Sequence, residues 1–389
     1  MANAWFEAPR GLYVHFPFCR KKCPYCGFFV LAGRHELHDA YWQAVLAEVQ
    51  ERTAQWGRAF ATVYLGGGTP SLSSARSLGR FLEQLLRLLG LPPDAEITVE
   101  ANPETLDRER LHTLRAVGVN RLSIGAQSGL DPELRLLGRT HTPREVEQAV
   151  DRARRAGFEN LNLDLIFGLP GQTPRHLEAS LRWAVALEPE HLSVYSLTLE
   201  PGTLFHREAR RGRLHLPDEA TMVALYRLRE DFLESHGYRL YEISNFARPG
   251  YESRHNLLYW CHRPYLGVGL SAASFRYRTP AAGERWVQHR SLVRYLKGER
   301  TPAVEQLDAR ALLLERVFLG IRLREGIRWP VPSVPEALEP YVRLRNGVLA
   351  LTAEGRLVAD RLAVELVAFL EQQGAEPAAL LQKIRPVAC

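Results

Sequence analysis

Cysteine, lysine and long apolar runs are scarce in this chain, and each scarcity excludes something. Five cysteines in 389 residues are too few, and too clustered, for a disulfide framework. Lysine occurs only at positions 21, 22, 297 and 383, so the formal charge of +6 is carried almost wholly by arginine. An arginine surface suits carboxylates and phosphates, including propionates and anionic lipid headgroups. Without a recognisable nucleic-acid motif, it reads as a solvated basic face and not as a nucleic-acid footprint. No stretch approaches the roughly 20 apolar residues of a membrane helix. The first ten residues include Glu7 and Arg10 and show no apolar core of a secretory signal. A cytoplasmic protein is expected, at most peripheral to a membrane. There are no internal repeats and no biased tract beyond the proline-rich Pro330–Pro340.

What is present is a regular alternation. Apolar runs read as strands at Leu12–Phe16, Thr62–Leu65, Glu96–Glu100, Arg121–Ile124, Asn160–Phe167 and His191–Leu199. Helical patterns lie between them at Tyr41–Gln55, Ala75–Leu89, Arg108–Ala116, Arg144–Ala156 and His176–Leu187. Leu78, Phe81, Leu82, Leu85 and Leu89 give the second of these one apolar face. Gly90, Gly118 and Gly157 follow helices as left-handed caps would. Strands separated by helices require right-handed crossovers and a parallel sheet, either open or curved into an incomplete barrel. Polar motifs after several different strand ends favour the barrel.

From about Pro201 the rhythm changes. Ala220–His236 reads as a helix and Tyr238–Asn245 as extended. Near residue 300 a compact tail begins: a helix over Arg310–Leu323, a hairpin over Val342–Leu351 with Asn346-Gly347 at its turn, and a helix over Thr352–Leu370. That outline is winged-helix-like, but Glu354, Asp360 and Glu365 dilute any basic face, so a structural or docking module is expected. The predicted divisions are 1–200, 201–300 and 301–389.

Cys19, Cys23 and Cys26 lie in a C-x3-C-x2-C loop directly after the first predicted strand. A fully ligated iron–sulfur cluster takes four cysteines, so three leave one iron open. Arg20, Lys21 and Lys22 favour thiolate over thiol. The competing arrangement is a structural zinc site with His15 as fourth ligand, but the second C-x2-C knuckle usual in zinc ribbons is missing. Cys261 and Cys389 are singletons and read as plain or buried thiols. With Tyr25 before the third cysteine, the loop resembles the signature of the radical S-adenosylmethionine superfamily. That resemblance implies an α/β fold with an incomplete (β/α)6 barrel and a 4Fe–4S cluster. The amino and carboxylate groups of S-adenosylmethionine would chelate the open iron, and its reductive cleavage would give methionine and a 5′-deoxyadenosyl radical.

Further motifs follow other strands. Gly66-Gly67-Gly68-Thr69-Pro70 lets backbone approach a ligand closely. Glu100, Gln127 and Asp164 are polar residues within or at the ends of apolar strands, costly unless paired, and together suggest one shared polar ligand. Arg139 adds a cation suited to a carboxylate. With Glu242-Ile-Ser-Asn245-Phe-Ala and the helical tail, this order is similar to the oxygen-independent coproporphyrinogen III oxidase family over nearly the whole chain. By that resemblance Tyr13, Gly67 and Glu100 contact one S-adenosylmethionine. Tyr25, Gly68, Thr69, Gln127, Arg139 and Asp164 line an adjoining region.

Two departures point to the HemW-type haem chaperones, once grouped with those oxidases. The oxidase has an additional cysteine two residues after the third, where this chain has Phe28, and a longer N-terminal arm. His255-Asn256-Leu-Leu-Tyr259-Trp260 also resembles the HemW signature, with His255 as a haem contact. On its residues alone, His255 reads as a packed histidine bonded to Glu242 or to a backbone carbonyl, and only the resemblance turns it into a haem contact. The resemblance implies a carrier that binds haem and transfers it to apo-haemoproteins, and it allows a homodimer. The alternative is radical decarboxylation of porphyrinogen propionates to vinyls.

Overall fold

A computed structural model describes residues 10–389. The reading of the extreme N-terminus therefore falls almost wholly outside the described residues. Six strands follow the predicted rhythm: β1 (Gly11–Phe16), β2 (Thr62–Gly67), β3 (Glu96–Ala101), β4 (Arg121–Gln127), β5 (Leu161–Phe167) and β6 (His191–Ser196). Each pairs in parallel with the next. The crossovers carry helices His38–Trp56, Ala75–Leu89, Arg108–Ala116, Pro143–Arg155 and Pro174–Ala186. Thr142 caps one with a reciprocal Glu145 bond, and proline opens it at the first turn, where no N–H is needed. Gly90, Gly118 and Gly157 adopt positive φ (61°, 102° and 86°) at the expected helix ends.

Later strands extend the sheet at both edges. They are β7 (Arg239–Leu240), β8 (Asn245–Ala247), β9 (Tyr265–Val268), β10 (Ala273–Thr279), β11 (Ala282–Val287) and β12 (Ala303–Leu307). The 12-stranded order is β12-β11-β10-β9-β1-β2-β3-β4-β5-β6-β8-β7. β9 lies parallel to β1, and β8 runs antiparallel to β6.

Strand periodicity positions the site. On β5, Leu161, Leu163, Leu165 and Phe167 enter the core under the helices, while Asn162 and Asp164 face the other side. Leu122, Ile124 and Ala126 on β4 alternate in the same way with Arg121 and Ser123, as Leu192 and Val194 on β6 do with Ser193 and Tyr195. The inner face is therefore polar along the strands as well as at their ends.

The tail has its own apolar core, including Leu312, Leu313, Val317, Leu349, Leu362 and Leu366, which also takes in Phe275, Tyr277 and Leu307 of the sheet edge. The hairpin forms between Val342–Arg345 and Val348–Leu351. The predicted Thr352–Leu370 helix is instead broken into Ala353–Leu357 and Ala359–Gln372, because β-branched Val358 leaves the helical region (φ −127°, ψ 25°). The extended reading of Tyr238–Asn245 also changes. The chain reverses within it so that β7 and β8 pair, and the Glu242 carboxylate accepts from the Ser244 N–H at 3.0 Å inside the turn.

Cys261 and Cys389 correct the sequence reading. They are not plain thiols but form a disulfide, 128 residues apart in sequence, with Cα atoms 5.9 Å apart. Only packing of the tail against the sheet edge brings them together. No described helix is long and apolar enough to cross a membrane.

Candidate cofactor and ligand site

The cysteine loop leaves β1 at Phe16 and turns tightly, with the Cys26 N–H bonded to the Cys23 carbonyl at 3.2 Å. Cys19, Cys23 and Cys26 are all free thiols. Two side chains from later βα units reach the sulfurs. The Thr69 hydroxyl is 3.6 Å from Cys19 Sγ, and Arg139 Nη1 is 3.7 Å from Cys23 Sγ. Arg139 is itself aimed by Asn102 Oδ1 at 2.5 Å and the Gly125 carbonyl at 3.2 Å. Burial pushes the Cys19 thiol up to about 11 and raises that of Cys26 as well. Burial alone thus favours the thiol, and a bound metal would draw the thiolates out.

The zinc arrangement lacks its fourth ligand. The His15 ring is spent on the Tyr13 hydroxyl and the Phe29 carbonyl, each at 3.0 Å. Three soft thiols approached by a guanidinium and a hydroxyl fit a larger thiolate-held cluster carrying net negative charge.

Beside this loop lies a cavity of about 260 Å³, walled by the polar inner faces of the strands and by helix Arg254–Trp260. Tyr13, Gly67, Glu100, Asp164 and His255, all singled out from sequence, line it together. Glu100 Oε1 accepts from the Tyr64 hydroxyl at 2.8 Å and Oε2 from the Gly67 N–H at 3.0 Å. Burial, then the nearby Asp164, push its carboxyl up to about 7. Asp164 accepts from Ser123 at 2.9 Å and Asn162 at 2.8 Å, and burial raises its pKa too. Gly67 has φ 104°, and a Cβ there would lie 2.4 Å from the His15 ring. Phe28, the residue replacing the extra cysteine, is 63% exposed at the cavity wall.

The remaining sequence candidates cluster on the cysteine side. A methyl on Gly125 would meet Gln127 Nε2 at 2.7 Å, Asn102 Oδ1 at 3.3 Å and Arg139 Nη2 at 3.4 Å. Gln127 holds a left-handed φ of 68°, a conformation that side chains avoid unless their surroundings impose it. Tyr25 stands near Arg139 and Cys23, where burial raises its hydroxyl pKa. Gly68 passes beneath the loop, its N–H bonded to the Phe16 carbonyl at 2.7 Å.

His255 is buried, with Nδ1 2.7 Å from the Thr62 hydroxyl and Nε2 2.9 Å from the Tyr259 hydroxyl. Its ring stacks on Tyr64, and burial lowers its pKa to about 3, so the imidazole is neutral. Glu242, the partner considered from sequence, bonds Ser244 and Asn245 instead. The sequence reading missed Tyr64, Arg121, Ser123, Asn162, Ser193 and Tyr195 as cavity residues. Their signal was there, in polar residues at every second position of apolar strands.

Residues 13–184 match the model of the Radical SAM superfamily. The chain is 37% identical over 371 residues to heme chaperone HemW of Bacillus subtilis, covering 94% of this chain and 96% of that one. It is 42% identical over 266 residues to heme chaperone HemW of Escherichia coli, covering 68% and 69%. Among solved structures, coproporphyrinogen III oxidase (HemN) from Escherichia coli, a radical SAM enzyme, superposes with a TM-score of 0.76 at 25% identity, covering 95% of this chain and 92% of that one. With the cysteine loop, the polar inner face and near full-length likeness in agreement, the chain belongs to the HemW-type family of radical SAM proteins.

Proposed function

We propose that this chain is a haem chaperone, binding haem and handing it to apo-haemoproteins, with a 4Fe–4S cluster and S-adenosylmethionine as resident cofactors. The observation that carries the reading is the adjacency of the three-cysteine loop to a cavity walled by the Arg254–Trp260 helix and flanked by exposed Phe28. Cys19, Cys23 and Cys26 hold the cluster, and Arg139 and Thr69 steady its sulfurs. Tyr13, Gly67 and Glu100 face S-adenosylmethionine from the cavity side, while Tyr25, Gly68, Gln127 and Asp164 complete the surround. When bound, a reduced cluster with this cofactor supplies one electron for cleavage of a sulfonium bond.

Within this reading His255 is a positioning residue. Its bond to Thr62 ties the helix to β2, and its bond to Tyr259, one turn along the same helix, holds that hydroxyl at the cavity wall. Titrating haemin into the anaerobically purified, cluster-loaded protein should shift the Soret band with saturation at micromolar concentration. Absence of a shift would overturn the chaperone reading.

One observation favours a second reading: the full-length resemblance in fold to an oxidase of this superfamily. Anaerobic incubation with coproporphyrinogen III, reductant and S-adenosylmethionine tests it. Vinyl products would make the chain an oxidase, and their absence leaves the carrier.

A further inference from the structure

Arg121 opens β4 on the inner face of the sheet and lines the cavity, yet is only 1% exposed. Among the described residues no hydrogen bond, ion pair or ring contact reaches its guanidinium, and its buried Nε has no partner. A guanidinium is a permanent cation with five donors in a rigid fork, and leaving one buried and unanswered is costly. The carboxyls sharing the cavity do not answer it. Glu100 is engaged by Tyr64 and Gly67, and Asp164 by Ser123 and Asn162. Burial favours the neutral form of both. The positive field of Arg121 nevertheless reaches Glu100, Asp164, Tyr64, His191, Tyr241 and His255, so it sits at the centre of the polar wall.

We propose that Arg121 anchors a carboxylate-binding subsite at the inner end of the cavity, separate from the place where the cofactor's own carboxylate meets iron. β4 has seven residues, so Arg121 and Gln127 are about 20 Å apart along it. Neither the cysteines nor Thr69 nor Arg139 line this cavity. Its volume of about 260 Å³ is below the range of pockets that enclose whole drug-sized ligands. It suits a flexible acid-tipped arm or a small acid. The arm is the propionate of a tetrapyrrole seated outside, where the inference rests on the chaperone reading, or else a small free carboxylic acid. The fork of Arg121 takes either one in the same bidentate way.

The test uses cluster-loaded wild type, Arg121→Lys and Arg121→Gln, with haemin, haemin dimethyl ester and sodium propionate as probes. Wild type should bind haemin at least tenfold more tightly than the ester. Arg121→Lys should narrow that ratio and Arg121→Gln abolish it, with ester affinity unchanged in both. Sodium propionate should raise the wild-type melting temperature beyond equal sodium chloride, and should do so less in Arg121→Lys. A propionate response that depends on Arg121, in a protein that binds no haemin, would support the subsite with a free acid as ligand and sink only the chaperone reading. A haemin-to-ester ratio and a propionate response both indifferent to position 121 would overturn the subsite. Should Arg121→Gln fail to fold, the lysine variant decides, since it keeps the charge and loses the fork.

Discussion

Arg139 lays Nη1 3.7 Å from the sulfur of Cys23, joining two residues 116 apart in sequence. The contact ties the cysteine loop to the connection between β4 and β5, so the proposed cluster site rests on the sheet as well as on the loop. Replacing Cys19, Cys23 or Cys26 by serine should therefore remove iron and visible absorption while far-UV circular dichroism stays unchanged. Iron analysis after anaerobic purification checks this. Full iron in any one variant would exclude that cysteine as a ligand.

The backbone at Gly67 permits no side chain. With φ at 104° and the His15 ring 2.4 Å from a Cβ, Gly67→Ala should cost about 1–3 kcal/mol of stability and displace the N–H that Glu100 accepts. Urea melts give the first quantity and equilibrium dialysis of S-adenosylmethionine the second.

Glu100 makes stability depend on pH. Its folded pKa, about 7, lies above its ordinary 4.5, so the native state binds the extra proton. The associated stability is whole below pH 4.5 and is lost as pH rises toward 7, by at most about 3 kcal/mol. Glu100→Gln should match wild type near the low end of that window and exceed it at pH 8. An equal difference at both ends would exclude Glu100 as the source.

His255 acts in the opposite direction. Lowered to about 3, it stays neutral in the fold while the unfolded chain takes up a proton below its ordinary 6.5. Its contribution is present above pH 6.5 and falls away toward pH 3. His255→Ala should cost about 2–4 kcal/mol at neutral pH, by leaving the Thr62 and Tyr259 hydroxyls unpaired and opening a cavity against Tyr64. Thr62→Val, losing one bond, should cost less, and urea denaturation at several pH values measures each.

The Cys261–Cys389 bridge closes a long loop between the end of the Arg254–Trp260 helix and the tail. Peptide mapping without reductant should recover the linked pair. Cys389→Ser should lower stability by about 2–5 kcal/mol under oxidising conditions and by nothing in dithiothreitol. The same loss in both conditions would mean that the pair is not bonded in solution.

Local pattern made the barrel legible. Helical spacing in Ala75–Leu89, glycines after helices and a cysteine loop after β1 are signals written within a few residues of one another. Glu100, Gln127 and Asp164 were visible because each interrupts an apolar strand. The zinc alternative stayed open in sequence because His15 lies close to Cys19 along the chain, and it closed once the ring proved to be committed to Tyr13 and Phe29.

The sequence by itself determined which residues stand out chemically: three closely spaced thiols, a glycine run, and polar residues set into apolar strands. Which of them meet was decided by tertiary structure alone, because strand order and sheet curvature set distances that chain separation does not encode. Asp164 thus falls in with Glu100 while Gln127 and Arg139 turn to the cysteines, and His255 is held by Thr62 across 193 residues. The fold likewise leaves Arg121 buried and unpartnered on the polar wall, and packing of the tail against the sheet edge closes Cys261 onto Cys389.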